Sequence, residues 1–178
     1  TQMTNTITEK RFHTKIEKEL WERTYEIFFE EQLNKRHKDR TQFNKKDLLF
    51  LRYIYSKSTS AFTSNSSVSY QVDHIIPVEV LKERAQQIGG LPISAVGNLC
   101  LLSDSLNQDK NDDLIPEYLS KLSSPKEKKA KKDIENSLFM KIDNIPSIRK
   151  NISEETYKNF LKDRHSILEE KFYEMYVI

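Results

Sequence analysis

Two adjacent residues, Asp73 and His74, carry the chain's clearest sign of chemistry. A histidine can accept a proton near neutral pH without a large change in its surroundings. An aspartate is a hard oxygen ligand, and the side-chain carbonyl of Asn107 offers another, so both suit Mg²⁺. Cleaving a phosphodiester requires a base for the attacking water and a cation for the charge on the phosphate. These residue types therefore indicate metal-dependent phosphodiester hydrolysis.

The elements that must position these residues follow from the local pattern. The run from Tyr70 to His74 is β-prone, and Pro77 prevents it from continuing as a ladder strand. A second apolar run, residues 97–102, predicts another strand, after which Ser103 or Asp104 can cap a helix that carries Asn107. Neighbouring strand residues point to opposite faces, so Asp73 and His74 need a local bend to converge.

Three blocks in this order, DHIIP, GNLCLL and SLNQDKND, resemble the HNH, or ββα-metal, nuclease family and within it the GmrSD-type branch. The layout is also similar to the HNH domain of CRISPR effector nucleases. The resemblance covers about residues 70–113. It implies that Asp73 and Asn107 are metal ligands, that His74 is the general base and that Asn98 steadies the loop and orients the histidine. Lys110 would contact the phosphate.

The chain departs from the nominal family pattern at Asn107, where many members have a histidine. This departure makes a soft, zinc-like site less fitting and favours Mg²⁺ or Mn²⁺. The resemblance further implies DNA as substrate and a role as the effector of a restriction or antiviral defence system. Members of that branch often follow an N-terminal sensor or NTPase domain, and this chain, which starts at Thr1, is expected to be a fragment of such a protein.

The length and the composition of the chain limit the folds that it can adopt. A chain of 178 residues is long enough for one core, so we expect a single domain over residues 1–178. Only three glycines occur, and the polar stretches carry helical apolar spacing. The expected fold is α+β and mainly helical, with a two-stranded antiparallel hairpin. In this division, residues 70–113 form the ββα-metal core, and residues 1–69 and 114–178 form long helical flanks.

Four flanking helices are predicted. The first runs from Glu9 to about Lys38, with an apolar stripe that includes Leu20, Trp21, Ile27 and Phe28. Asn44 is placed as the N-cap of the second, which ends near Ser56. Ser124 is the expected cap of a third, with Pro125 at its first position, and a C-terminal helix follows Ser153.

The net charge and the single cysteine limit the kinds of site and partner that the chain can have. The net charge of +2 is permissive for nucleic-acid binding and does not by itself indicate it. One cysteine, Cys100, excludes a disulfide framework and a thiolate zinc site, and it is expected to be a small buried residue. No apolar run is long enough to cross a bilayer, and no signal peptide is evident, so a cytoplasmic protein without a membrane partner is expected.

Alternative interpretations stay open. The Asp73-His74 pair could lie in an ordinary loop, Asn98 could serve a turn, and Lys110 could be a solvated helix residue. The lysine-rich run 126–132 is either an exposed face or a source of sequence-independent backbone affinity. Rival functions are an inactive binding or interaction domain and an RNase or toxin-type nuclease, and a homodimer is one route to double-strand cleavage. Surface or packing positions are expected for His13, His37 and His165, and Asp104, Asp109, Asp112 and Asp113 are alternative ligands or caps.

Overall fold

A computed structural model describes residues 17–39, 42–56, 69–146 and 152–176. These ranges hold seven α-helices and one two-stranded antiparallel sheet, which confirms a mainly helical α+β fold. In chain order the elements are α1 (Lys18–Leu33), α2 (Lys45–Tyr55), β1 (Tyr70–His74), α3 (Val78–Gln87), β2 (Leu99–Ser103), α4 (Asp104–Lys110), α5 (Ile115–Ser120), α6 (Ser124–Leu138) and α7 (Glu154–Tyr176).

The hairpin of β1 and β2 is the centre of the molecule. Its register places Asp73 opposite Cys100 and His74 opposite Leu99. Side chains of β2 alternate between two cores: Cys100 and Leu102 pack into the larger one, and Leu99 and Leu101 into the other. Because both faces of β2 are covered, its sequence is continuously apolar instead of alternating.

The chain enters and leaves β2 through short turns. A 3₁₀ turn, Val96–Asn98, precedes the strand, so β2 begins two residues later than the sequence predicts. At its other end the Ser103 hydroxyl accepts a hydrogen bond from the Leu106 amide, 3.5 Å away, and caps α4 as predicted. The order strand, loop, strand, helix is therefore present, with α4 starting directly at the end of β2.

Helix α1 differs from the prediction at its end and in its buried face. It ends at Leu33, because His37 leaves the helix to form an antiparallel bridge with Leu91, with hydrogen bonds of 2.8 and 2.9 Å. Leu20 and Ile27 are exposed, so their assignment to the buried stripe is wrong. The helix instead buries Trp21 and Tyr25, with Trp21 stacked on Phe172 of α7. Residues 9–16 of the predicted helix and His13 lie outside the described residues.

The starts of the other helices agree with the predicted caps only in part. The Asn44 side chain accepts a hydrogen bond from the Lys46 amide at 2.9 Å, so Asn44 caps α2 as expected. In α6 the N-cap is Ser123 and not Ser124, which moves Pro125 to the second helical position. Helix α5 was not among the predicted elements, and it begins with the Glu117 carboxylate accepting the Leu114 amide at 3.1 Å.

Cys100 is fully buried, and burial raises the pKa of its thiol to about 12, with a further contribution from the nearby charge of Asp73. It is thus the small buried residue that the sequence suggests. Among the described helices, none combines the length and the apolar composition that crossing a bilayer requires.

Candidate active site

Asp73 and His74 lie at the end of β1 and border an open cleft of about 570 Å³. Asn107, from α4, lies on the same cleft. Both adjacent strand residues border this cleft, although strand alternation points their side chains to opposite faces. The chain bends directly after the strand, at Ile75 and Ile76, where the Ile75 amide donates to the Asn98 carbonyl at 2.8 Å.

Asp73 forms an ion pair with Lys110. The Lys110 Nζ lies 2.9 Å from Asp73 Oδ2, and the side chains are 1% and 16% exposed, respectively. The buried Oδ2 accepts no hydrogen bond of good geometry, so the positive charge of the Lys110 ammonium group is what compensates its negative charge. Lys110 is consequently not a solvated helix residue, and a direct contact with a substrate phosphate would require this ion pair to open.

His74 is buried and held on two sides. Its Nε2 lies 3.2 Å from the Ser94 hydroxyl, and the Phe43 ring packs at 5.3 Å from the imidazole, centroid to centroid. If Nε2 carries the proton and donates it to Ser94, the lone pair resides on Nδ1. A fixed tautomer of this kind is what a general base needs.

Asn98 is fully buried, and all of its hydrogen bonds go to backbone. Its Oδ1 accepts the Ile76 amide at 2.9 Å, and its Nδ2 donates to the carbonyls of Ile76 and Ile93 at 3.0 and 2.9 Å. The side chain thereby fixes the turn that directly follows His74. These hydrogen bonds fit the turn role considered from the sequence, and an effect of Asn98 on the orientation of His74 stays a prediction.

Asn107 has one of its two polar side-chain atoms engaged. Its Nδ2 donates to Gln71 Oε1 at 3.0 Å, across from α4 to β1. Within the described part of the chain, Oδ1 has no hydrogen-bond partner and is left for a ligand. Gln71 therefore orients the amide group that was predicted to bind a metal.

The oxygen donors at the cleft fit a hard divalent cation. Asp73 can offer Oδ1 and Asn107 can offer Oδ1, and both residues border the same space. Two protein ligands with waters and a phosphate complete an octahedron, so no larger cluster is required. Indeed, residues 17–39, 42–56, 69–146 and 152–176 contain no group of three or more His, Cys, Asp or Glu side chains placed to hold a metal.

The four alternative aspartates separate in space. Asp112 borders the cleft, whereas Asp109 borders a different depression beside α6. Asp113 pairs with Lys121 at 2.5 Å, and Asp104 occupies the first position of α4. Of the four, Asp112 is the one that borders the same cleft as the candidate ligands.

Three residues of the site were not anticipated: Gln71, Ser94 and Phe43. Gln71 could have been found, because it is two residues before Asp73 and strand periodicity places both on one face. Ser94 lies in the irregular segment between α3 and β2 and has no periodic signal. Phe43 precedes the Asn44 cap, and its contact with the imidazole depends on how α2 packs.

No known protein-family model matches the chain, and no curated protein or solved structure is significantly similar to it.

Proposed function

We propose that this protein is a divalent-metal-dependent endonuclease of the HNH type that hydrolyses DNA phosphodiester bonds one strand at a time. The observation that carries the proposal is the meeting of Asp73, His74 and Asn107 on one cleft. These residues are 34 positions apart at most in sequence, counted from Asp73 to Asn107, and the hairpin and α4 bring them together. The ββα-metal element is β1, β2 and α4.

The side chains can divide the work as follows. His74, held by Ser94, takes the proton from the attacking water. Asp73 and Asn107 would hold Mg²⁺ or Mn²⁺, and a cation there would supply positive charge to stabilise the phosphate during cleavage. Lys110 fixes Asp73, and Gln71 fixes Asn107, so both ligand groups are oriented before a cation arrives.

The biological setting rests on the sequence resemblance alone. We propose that the nuclease is the effector of a restriction or antiviral defence protein and follows an N-terminal sensor or NTPase domain. Recognition of modified DNA would belong to that domain.

A plasmid-nicking assay tests the activity. Supercoiled plasmid is incubated with the wild type in Mg²⁺, Mn²⁺ or EDTA, beside His74→Ala and a matched control, His165→Leu. His165 is also a buried histidine, 2% exposed, but it lies between α1 and α7, away from the cleft. We expect metal-dependent nicking that survives in His165→Leu and is lost in His74→Ala.

Three outcomes would count against the proposal. Equal nicking by His74→Ala and the wild type would remove the general base from the argument. Cleavage of RNA but not of DNA, measured side by side, would replace the DNA endonuclease with the RNase alternative. No cleavage of either nucleic acid in any metal would favour the inactive binding domain.

A further inference from the structure

Helix α6 presents lysines to solvent along most of its first half. Lys126, Lys128, Lys129 and Lys132 are exposed, and we refer to these four residues as the lysine face. At 100° per residue, Lys128 and Lys132 point away from the side that buries Ile134 and Leu138. The lysine-rich run 126–132 therefore lies mainly on an exposed surface, and the apolar side of the same helix packs into the core.

The lysine face lacks the carboxylate partners that several other lysines of the chain have. Just before and after α6, Lys121 pairs with Asp113 and Lys141 with Glu135. On α1 and α7, Lys18, Lys158 and Lys171 each pair with a glutamate of their own helix. In the part of the chain that the structure describes, no carboxylate oxygen lies within 4.0 Å of any lysine of the lysine face. Its positive charge is thus available to an outside anion.

The position of α6 relates this charge to the cleft. Lys126 and Lys129 border a depression of about 640 Å³ whose opposite wall includes Ser105 and Asp109 of α4. The other side of α4 gives Asn107 to the cleft. One helix, roughly 10 Å across, therefore stands between the lysine face and the candidate metal ligands.

We infer that the lysine face binds the sugar-phosphate backbone of duplex DNA at phosphates several positions away from the one in the cleft. This inference rests on the proposed function, because it takes DNA as the partner. From Lys126 to Lys132 the helix rises about 9 Å, comparable to the axial length of roughly three phosphates of one strand. Asp109 and Asp133, which also line the depression, make it unfavourable for phosphate, so the contacts fall on the outward lysines.

Binding of this kind depends on charge and not on base sequence, and counterion release makes it steeply salt-dependent. The test is the affinity for a fluorescent DNA duplex, measured by anisotropy in EDTA so that no metal-dependent cutting occurs. One variant carries Lys128→Gln, Lys129→Gln and Lys132→Gln. The control removes the same charge elsewhere through Lys18→Gln, Lys158→Gln and Lys171→Gln. Glutamine keeps helix propensity close to that of lysine, and circular dichroism checks folding.

We expect the variant of the lysine face to bind at least about tenfold more weakly near 50 mM salt, with a log–log salt slope lower by about 3. Two duplexes of unrelated sequence should lose affinity equally, and the control should bind as the wild type does. Equal binding by the variant and the control would overturn the inference while leaving the nuclease proposal untouched. If the wild type binds duplex DNA through these lysines but never nicks it, the proposed function fails and the binding surface stands.

Discussion

Two carboxylates in this molecule, the buried Asp47 and the partly buried Asp73, each contact a lysine but differ in whether both oxygens have a partner. Asp47, at the start of α2, accepts Gln32 Nε2 on Oδ1 at 2.9 Å and pairs with Lys35 through Oδ2. Its side chain is 2% exposed. Asp73 pairs with Lys110 through Oδ2, whereas its Oδ1 has no hydrogen-bond partner in the described ranges and its side chain is 16% exposed on the cleft.

The difference separates a structural carboxylate from a candidate ligand. A buried charge is tolerated when partners compensate it, and Asp47 has both oxygens compensated. Gln32 also accepts the Val96 amide at 3.0 Å, so the Asp47 network ties α1 and α2 to the turn before β2. Asp73 has one oxygen compensated by Lys110 and one without a partner among the described residues, and the residue borders the cleft. That arrangement is stable enough to fold and still able to take a cation.

The largest effect is expected from Asp73→Asn. Loss of the carboxylate should lower metal-dependent nicking by at least about 1,000-fold, because it removes both a ligand and its charge. The same change leaves Lys110 buried without a counter-charge, so we expect a loss of about 3 kcal/mol in the free energy of unfolding, measured by urea denaturation.

A double variant separates these two effects. Adding Lys110→Met to Asp73→Asn removes the orphaned charge and keeps a similar volume, so most of the lost stability should return. Nicking should remain absent. Recovery of nicking together with stability would show that Asp73 acts only through the fold, and the contrast with Asp47 would then disappear.

A second contrast, between the two buried histidines, predicts a dependence on pH. His74 contacts Ser94, whereas neither nitrogen of His165 has a hydrogen-bond partner. Burial, and then the charge of Arg164, lowers the pKa of His165 to about 3. In the unfolded chain this imidazole takes up a proton near pH 6.5, so folding stability should fall as the pH drops from about 6.5 toward 3.

His165→Leu should remove this slope. Between about pH 6.5 and 4 we expect the wild type to lose on the order of 2–3 kcal/mol more than the variant. Chemical denaturation at several pH values measures the difference. Parallel curves for the two proteins would mean that His165 is hydrated or paired in solution, contrary to its packing against Phe29 at 3.8 Å, centroid to centroid.

Asp47→Asn should lower the free energy of unfolding by less than Asp73→Asn does. Unlike Asp73→Asn, it should leave nicking nearly unchanged. The asparagine can still accept from Gln32, and Lys35, 20% exposed, can turn to water, so the expected loss is about 2 kcal/mol. Nicking per folded molecule should stay within about twofold of the wild type, because no polar atom of Asp47 lies on the cleft. A large loss of activity in a well-folded Asp47→Asn protein would contradict the assignment.

The sequence was sufficient for the two strands, α4 and the cap of α2, because these depend on local periodicity and side-chain capping. It was insufficient for Lys110, since a lysine in a polar helix is normally solvated and its ion pair with Asp73 crosses from α4 to β1. The contact of His74 with Ser94 was equally hidden, because it joins a strand to an irregular segment 20 residues later. Local sequence patterns predict the helices and strands, whereas the contacts that build the candidate site join residues far apart in the sequence.

The smallest predicted effect concerns Gln71. Its hydrogen bond orients the Asn107 side chain, as the ion pair with Lys110 orients Asp73. Each binds one polar atom of a candidate ligand and leaves the other toward the cleft. Gln71→Ala should release the Asn107 amide and raise the Mn²⁺ concentration for half-maximal nicking by about tenfold, the usual cost of losing an orienting partner. Gln108→Ala is the matched control, because Gln108 also borders the cleft and makes no hydrogen bond to a described residue. If both variants shift the Mn²⁺ requirement equally, Asn107 is not held by Gln71, and preorganisation of the cleft reduces to the single ion pair at Asp73.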